Sequence, residues 1–357
     1  MVKKMKIINQ FPFIKVAGSP YEMGYQHGQA CDDRIKKFVE LIIKGASDGK
    51  SVMRQDVLNR TKVFQPLFEE CCPQLVEEVR GLADGAGISF EEVLLLQIRG
   101  EINNVRNSEC TAYAISGEST VSGEIIIGQN SDMTPVMEEL GIVLHLTPEK
   151  GPKIMMWTFG GHLGYHGMNS AGVAHFANAL SGGPGWRFGL PHYPVKRRML
   201  EQTTVAECLQ LLDNTPVCSS GNYVLTGGCR TIIDVELTSE GYATLDDAGE
   251  GFIVHTNHFL SSRFATPDTD TCSSPDSFKR LKQLRTLIKN EYGSITVEMV
   301  KQFLRDHENP PISICRHLNE QNHESKTVAS LIAEPESGRF HVCVGNPCEN
   351  EFQVYDI

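Results

Sequence analysis

The side chain in this sequence with the most chemistry to offer is a thiol. Cys110 heads the strand-like run CTAYAIS, directly after the polar stretch Asn103-Asn104-Val105-Arg106-Asn107-Ser108-Glu109, whose composition predicts an exposed or strained turn. A buried thiol is ordinarily inert, because it stays protonated among apolar atoms. A thiol beside a strained peptide bond can instead attack the preceding carbonyl, pass through a thioester that water resolves, and become the first residue of a new chain. The amine so released has an ordinary pKa of about 7.7–8.0, so near neutrality part of it is free base and can take the thiol proton. Nucleophile and base then belong to one residue, and no paired histidine is needed.

Other polar groups could assist such a centre. His255-Thr256-Asn257-His258 holds an amide whose NH2 is the kind of donor that contributes ~2.7–4 kcal/mol when aimed at a developing oxyanion. Its two histidines tempt a metal reading, but at that spacing in a strand they point to opposite faces, which argues against zinc. Asp132 ends Gly128-Gln129-Asn130-Ser131-Asp132, and taken alone it is an aspartate closing a strand in a turn. Ser325-Lys326-Thr327 offers a hydroxyl and an ammonium at the head of another strand. The eleven cysteines are odd in number and irregularly spaced, and no C-x-x-C occurs, so neither a disulfide framework nor a zinc ribbon is indicated and most are expected to be reduced core residues. No cofactor and no metal is expected.

The elements that must position these groups change character near residue 108. Before it the pattern is helical. Ser19-Pro20-Tyr21-Glu22 joins an N-cap serine, a proline at the first helical position and a glutamate three residues on, which predicts a helix running towards the forties. Ser89-Phe90-Glu91-Glu92 repeats that logic, with Val93, Leu94, Leu96 and Ile98 on an apolar face. After residue 108 come short strands: CTAYAIS, GEIIIGQNSD, GIVLHLTPE, KIMMWTFGG, GVAHFANAL, GNYVLTG, RTIIDVELT, GFIVHTNHF, TVASLIAEP and RFHVCVGN. Helices are expected from Thr204 through Leu212, from Pro275 to Lys289 and from Thr296 to His307, and Gly167 to Gly172 reads as a tight turn. Grouped strands with grouped helices predict an α+β fold of stacked antiparallel sheets covered by helices, and a four-layer αββα sandwich fits.

Composition excludes several function classes. Hydrophobic residues at 40% and charged residues at 22% are ordinary globular usage, not a disordered or fibrous chain. The formal charge of −11 is spread along the sequence, so nucleic acid is not expected as a partner, and the run Lys196-Arg197-Arg198 reads as the solvated face of a helix. No window is apolar and long enough for a membrane span or a secretory leader, which predicts a cytoplasmic protein.

Several stretches together resemble the acyl-CoA:6-aminopenicillanic acid acyltransferase family, the autoproteolytic cysteine group of the N-terminal-nucleophile superfamily. They run from GSPYEMGYQHGQ through DGAGISFEEVLLLQIRGEI, SECTAYAISGE, GEIIIGQNSDM and GMNSAGVAHFANAL to VHTNHFL and SKTVASLIAEP, and so cover most of the chain in order. The resemblance implies the αββα fold in one domain over 1–357. It also implies cleavage between Glu109 and Cys110, giving a mainly helical chain 1–109 and a chain 110–357 that stay associated, with amide or thioester chemistry at the exposed cysteine. It maps a structural aspartate onto Asp132, an oxyanion asparagine onto Asn257, and the serine and following cation of the penicillin enzyme onto Ser325 and Lys326. Gln129 falls where the bile-salt and penicillin-V hydrolases carry an arginine. Gln129, and Trp186 in the glycine-rich loop SGGPGWRFG, are read as substrate-side residues, and His27 as a packing residue. The expected function is an acyl-cysteine hydrolase or acyltransferase for a small N-acyl or aminoacyl amide or acyl thioester, with water or an amine as acceptor. Two other readings remain open: an unprocessed cysteine-histidine hydrolase with His255 or His258 as base, and a binding protein that keeps the fold and never cleaves.

Overall fold

The computed structural model describes residues 10–46, 53–98, 109–228, 230–265, 276–310, 312–320 and 322–357. The stretch expected to form a turn before Cys110 lies outside them, apart from Glu109.

The helical third begins after strand β1 (Phe13–Gly18) with α1 (Pro20–Ala46), followed by α2 (Arg54–Thr61), α3 (Gln65–Cys71), α4 (Pro73–Ala86) and α5 (Phe90–Gln97). The serine at position 89 caps α5 in a full capping box with Glu92. Helices α1 and α4 pack unusually closely because glycines face each other across the contact. A Cβ at Gly24 would sit 2.1 Å from the Glu78 carbonyl oxygen, and one at Gly81 would sit 2.0 Å from that of Tyr21. His27, on the same helix, accepts the Gly161 amide at Nε2 (3.1 Å), and burial pushes its pKa down to about 3, so it is a neutral packing residue.

The remaining strands form two sheets. The larger, in the order β1-β4-β5-β6-β7-β8-β9-β10, contains β4 (Gly141–Pro148), β5 (Ile154–Phe159), β6 (His166–Asn169), β7 (Ala174–Ala179), β8 (Gly221–Gly227), β9 (Thr231–Thr238) and β10 (Gly241–Leu245). The smaller, in the order β11-β2-β3-β12-β13-β14, contains β2 (Glu109–Ile115), β3 (Ile126–Met133), β11 (Phe252–His255), β12 (Lys326–Glu334), β13 (Arg339–Val344) and β14 (Gln353–Asp356). All the pairings are antiparallel except β1 with β4. Strands β2, β3 and β11 pack against β7, β8 and β9, so the sheets lie face to face. On the outer side of the larger sheet sit α1, α7 (His192–Leu200) and α8 (Val205–Asp213), α6 (Val136–Leu140) being a short turn between β3 and β4. On the outer side of the smaller sheet sit α9 (Asp276–Asn290) and α10 (Val297–Leu304). This is the expected α+β, four-layer αββα sandwich. Strands β2 and β3 are buried on both faces; β2 reads as a nearly unbroken apolar or small-residue run after Glu109, whereas β3 also buries the polar Gln129, Asn130, Ser131 and Asp132.

Two local expectations are corrected. Lys196 and Arg197 do not form a solvated face: they are 8% and 2% exposed, because α7 is wedged between the sheet and the helical layer. Arg197 pairs with the equally buried Glu78 at 2.8 Å and with Glu201 at 3.1 Å, while the Lys196 ammonium lies 4.2 Å from the Tyr165 ring centre. The second correction concerns α10, which ends at Leu304 rather than His307, where the chain turns so that Arg305 Nε can donate to the Pro347 carbonyl at 2.7 Å. Among the described residues no helix is long and apolar enough to cross a membrane.

Candidate active site

Cys110 is the second residue of β2, where that strand faces β7 of the opposite sheet, and it is almost wholly buried. Three long-range contacts fix its backbone. Its N–H donates to Asn257 Oδ1 at 3.1 Å. Its carbonyl oxygen accepts from Arg280 Nη1 at 2.7 Å and from Asn178 Nδ2 at 3.2 Å. Asn178, on β7, also donates to the His255 carbonyl at 2.9 Å, so one amide staples the two sheets together beside the thiol. Arg280 Nη2 donates to Asn257 Oδ1 at 2.9 Å, and Asn257 Nδ2 donates to the Ala179 carbonyl at 2.9 Å. Two donors on the oxygen and an acceptor on the nitrogen determine which way the amide faces. Asn257 therefore meets Cys110 with its carbonyl end.

A charged network lies on the other face of the β2–β3 pair. The register sets Glu109 opposite Asp132 and Cys110 opposite Ser131, and side chains of opposed residues share a face. Arg316 binds the Glu109 carboxylate closely, reaches Asp276 at 2.6 Å and Ser325 Oγ at 2.9 Å, and has its Nε 3.6 Å from Asp132. Arg280 adds Asp276 at 2.9 Å and Glu109 at 3.5 Å. Thr327 Oγ1 donates to Asp132 Oδ1 at 2.7 Å and accepts the Arg316 amide at 2.9 Å. Two guanidiniums thus face three carboxylates. Burial raises the Asp132 pKa to about 6 even though Arg316 and Arg280 pull it down. Burial, followed by the nearby Asp132 charge, pushes the Cys110 thiol up to about 12, against the smaller opposing pull of an Asp132 backbone hydrogen bond, Lys196 and Arg280.

The residues named from the sequence fall into two groups. Glu109, Cys110, Asp132, Asn257 and Ser325 belong to this one network. Gln129 is buried on β3 with its Nε2 2.6 Å from Ser131 Oγ, next to the residue opposite Cys110. Lys326 is turned away: its ammonium pairs with Glu138 at 2.6 Å, and the positive charge around Cys110 comes from Lys196 and Arg280 instead. Trp186 is 48% exposed on the loop after β7, which starts at the Ala179 carbonyl held by Asn257.

The histidines are engaged elsewhere. His255 Nε2 lies 3.0 Å from Glu236 and its Nδ1 2.9 Å from the Thr256 carbonyl, and those acidic neighbours, with Asp234, hold its pKa up against burial. His258 lies beyond the end of β11, with Nδ1 2.8 Å from Ser277 Oγ. Sequence reasoning missed Asn178, Arg280, Arg316 and Asp276. Only Arg280 carried a local signal, since it shares the buried stripe of α9 with Ser277, Leu284 and Ile288.

The site can be compared with known proteins. The acyl-coenzyme A:6-aminopenicillanic-acid-acyltransferase 40 kDa form of Emericella nidulans is 27% identical over 335 residues, covering 92% of this chain and 91% of its own. An uncharacterized protein of Archaeoglobus fulgidus is 21% identical over 345 residues, covering 82% of this chain and 57% of its own. Among solved structures, a mutant conjugated bile acid hydrolase from Clostridium perfringens aligns with a TM-score of 0.44 at 14% identity, over 69% of this chain and 97% of its own. Penicillin V acylase from Agrobacterium tumefaciens aligns with a TM-score of 0.44 at 11% identity, over 65% and 82%. The sequence pattern of one family matches residues 119–349, well over half of the chain, and on that match the protein belongs to the acyl-coenzyme A:6-aminopenicillanic acid acyl-transferase family.

Proposed function

We propose that the chain cuts itself between Glu109 and Cys110 and then works as a cysteine amidohydrolase or acyltransferase on a small N-acyl or aminoacyl amide or an acyl thioester. The observation that carries this reading is the treatment of Cys110: its nitrogen is held by Asn257 and its carbonyl by Arg280 and Asn178, and among the described residues the sulfur has no hydrogen bond to a histidine. A thiol whose pKa is about 12 has almost no thiolate at neutral pH, so the uncut chain is a poor enzyme.

In the first reaction the sulfur bonds to the Glu109 carbonyl carbon, the carbon–nitrogen bond breaks, and the thiol proton passes to the departing nitrogen. Water then hydrolyses the thioester, leaving a carboxylate on Glu109 and a free thiol and amine on Cys110. The Glu109 side chain, gripped by Arg316 and Arg280, holds the acyl side of that bond still. In turnover the new amine takes the thiol proton, the sulfur attacks the substrate carbonyl, and water or an amine resolves the acyl-cysteine. We assign Asn257 to hold the reacting nitrogen through Oδ1 and, once cleavage frees that nitrogen, to turn its NH2 from the Ala179 carbonyl to the oxyanion. Asp132 and Ser325 order Arg316, and Gln129 and Trp186 stand on the substrate side. The acyl-transferring relative from Emericella nidulans supports this reaction class.

Denaturing electrophoresis of freshly expressed protein beside Cys110→Ala tests the reading. Residues 1–109 and 110–357 should separate as two bands for the native chain and run as one band for the variant, with release of product from a panel of acyl amides and thioesters only by the native protein. Full activity from an undivided chain would refute it.

A further inference from the structure

Four ligand-type side chains outside the active site converge at one point: His307, Cys315, His317 and Cys348, with one donor atom from each lying within 4.8 Å of all the others. They come from three places in the sequence. His307 follows α10, Cys315 and His317 flank Arg316 in the segment leading to β12, and Cys348 follows β13. Nothing local in the sequence brings them together, so the expectation that most of the cysteines are plain core residues passed over them.

Four of the six donor-to-donor spacings are close to those of a tetrahedral metal site, and the other two, from His307 to the sulfurs, lie within 4.8 Å. With bond lengths of about 2.3 Å to sulfur and 2.0–2.1 Å to nitrogen, a tetrahedron has edges of about 3.8 Å between sulfurs, 3.6 Å between sulfur and nitrogen and 3.3 Å between nitrogens. The two sulfurs are 3.5 Å apart, and His317 Nε2 is 3.6 Å from Cys315 Sγ and 3.2 Å from Cys348 Sγ. The two Nε2 atoms are 3.1 Å apart. A disulfide needs its sulfurs about 2.05 Å apart, so this is not that geometry. Outer partners are also present. Glu349 Oε1 lies 3.7 Å from His317 Nδ1, where a carboxylate orients a ligating imidazole, and Asn346 Nδ2 lies 3.5 Å from Cys315 Sγ while also donating to the Arg316 carbonyl at 2.7 Å.

We propose that these four side chains bind a structural Zn2+ ion as a closed Cys2His2 site. Two thiolates and two neutral imidazoles suit zinc, and with all four positions taken by protein there is none left for substrate, so the role is mechanical. The ion ties the segment between α10 and β12 to the turn after β13. Because Cys315 and His317 enclose Arg316, it holds in place the guanidinium that grips Glu109 and faces Asp132.

The full chain, purified under reducing conditions, should carry about one zinc by elemental mass spectrometry. After removal of that zinc, added Co2+ should give the intense visible d–d absorption and the thiolate charge-transfer band of a tetrahedral site. Cys348→Ser and His307→Asn change exposed residues that the folded core does not need, and each should lose most of the zinc, with Cys348→Ser also weakening the charge-transfer band. Reduced native chain that retains no zinc after dialysis against equimolar Zn2+ and gives no tetrahedral Co2+ spectrum would overturn the proposal. So would a Cys315–Cys348 disulfide found by alkylation and mass mapping in freshly isolated protein, since it would consume both thiolates.

Discussion

Replacing Asp132 by asparagine should make the protein more stable above neutrality while slowing its self-cleavage. Asp132 is fully buried, and its pKa is raised from 3.8 to about 6. A carboxylate with a raised native pKa binds its proton more tightly in the fold than in the unfolded chain. Its penalty is therefore absent below about pH 4, grows as pH rises through about 6, and is complete above that. At ~1.36 kcal/mol per pH unit, the gap between 3.8 and about 6 corresponds to about 3 kcal/mol at pH 8. The charge count agrees in sign: Arg280 and Arg316 face Glu109, Asp276 and Asp132, one carboxylate too many, and an asparagine leaves that cluster neutral. Asparagine also keeps an acceptor for Thr327 Oγ1. The assay is urea denaturation from pH 4 to pH 8 of Cys110→Ala and Cys110→Ala/Asp132→Asn, neither of which can be cut. The gap between them should open as pH rises and level off above pH 7 at about 3 kcal/mol in favour of the asparagine. In the chain with Cys110 intact, Asp132→Asn should lengthen the processing time course by at least about tenfold, because Arg316 loses one of its anchors. A double variant less stable at pH 8 and with an unchanged pH profile would refute the electrostatic account.

Five further substitutions have definite expected outcomes. Asn257→Ala should lower turnover by about 10²–10³-fold in processed enzyme if its amide serves the oxyanion, measured as kcat on the best acyl substrate. Lys326→Ala should cost about 1–3 kcal/mol in thermal unfolding and leave processing intact, since it leaves the mostly buried Glu138 carboxylate without its partner, whereas Arg316→Ala should block processing on the same gel. Arg197→Ala strands the buried Glu78 carboxylate and should destabilise the chain by about 3–5 kcal/mol in urea. Gly81→Ala should cost about 1–3 kcal/mol or abolish folding, read by circular dichroism, because its methyl meets the Tyr21 carbonyl oxygen.

Much of the fold is written in local pattern. The capped helices at Ser19, Ser89 and Thr204 and the ten strand runs need only neighbours a few residues away to declare themselves, and each is found where that pattern sets it, except that the run over 251–259 stops as a strand at His255 and leaves Thr256, Asn257 and His258 outside β11. The strands that pattern does not announce are β1, β6, β10 and β14. Of these, β1, β10 and β14 are sheet edges; β10 is half-buried along most of its length and β14 mostly exposed, so neither shows a clear two-residue alternation of burial. Lys196 misled for the opposite reason. Charge predicts exposure only where water can reach, and α7 is covered on nearly every side, so the aromatic faces of Tyr165 and Tyr193 surround the ammonium instead.

The site was legible where one strand carries it and illegible where tertiary contact does. Glu109, Cys110 and Asp132 lie on adjacent strands joined by a short connection, so one register brings them together. Arg280 and Arg316 reach the same bond from 170 and 207 residues away, and no periodicity in the sequence records that meeting. On the proposed reading, their arrival accounts for a glutamate standing before the nucleophile. A bulky anion beside a bond to be cut would be a hindrance in open solvent; in the proposed reaction it is the handle by which two guanidiniums fix the acyl half of that bond. On this account Glu109→Ala should process more slowly than the native chain, and Glu109→Gln, which keeps two hydrogen-bonding ends but no charge, should fall between them. Faster processing by Glu109→Ala would mean that the side chain obstructs the cut and the clasp is incidental.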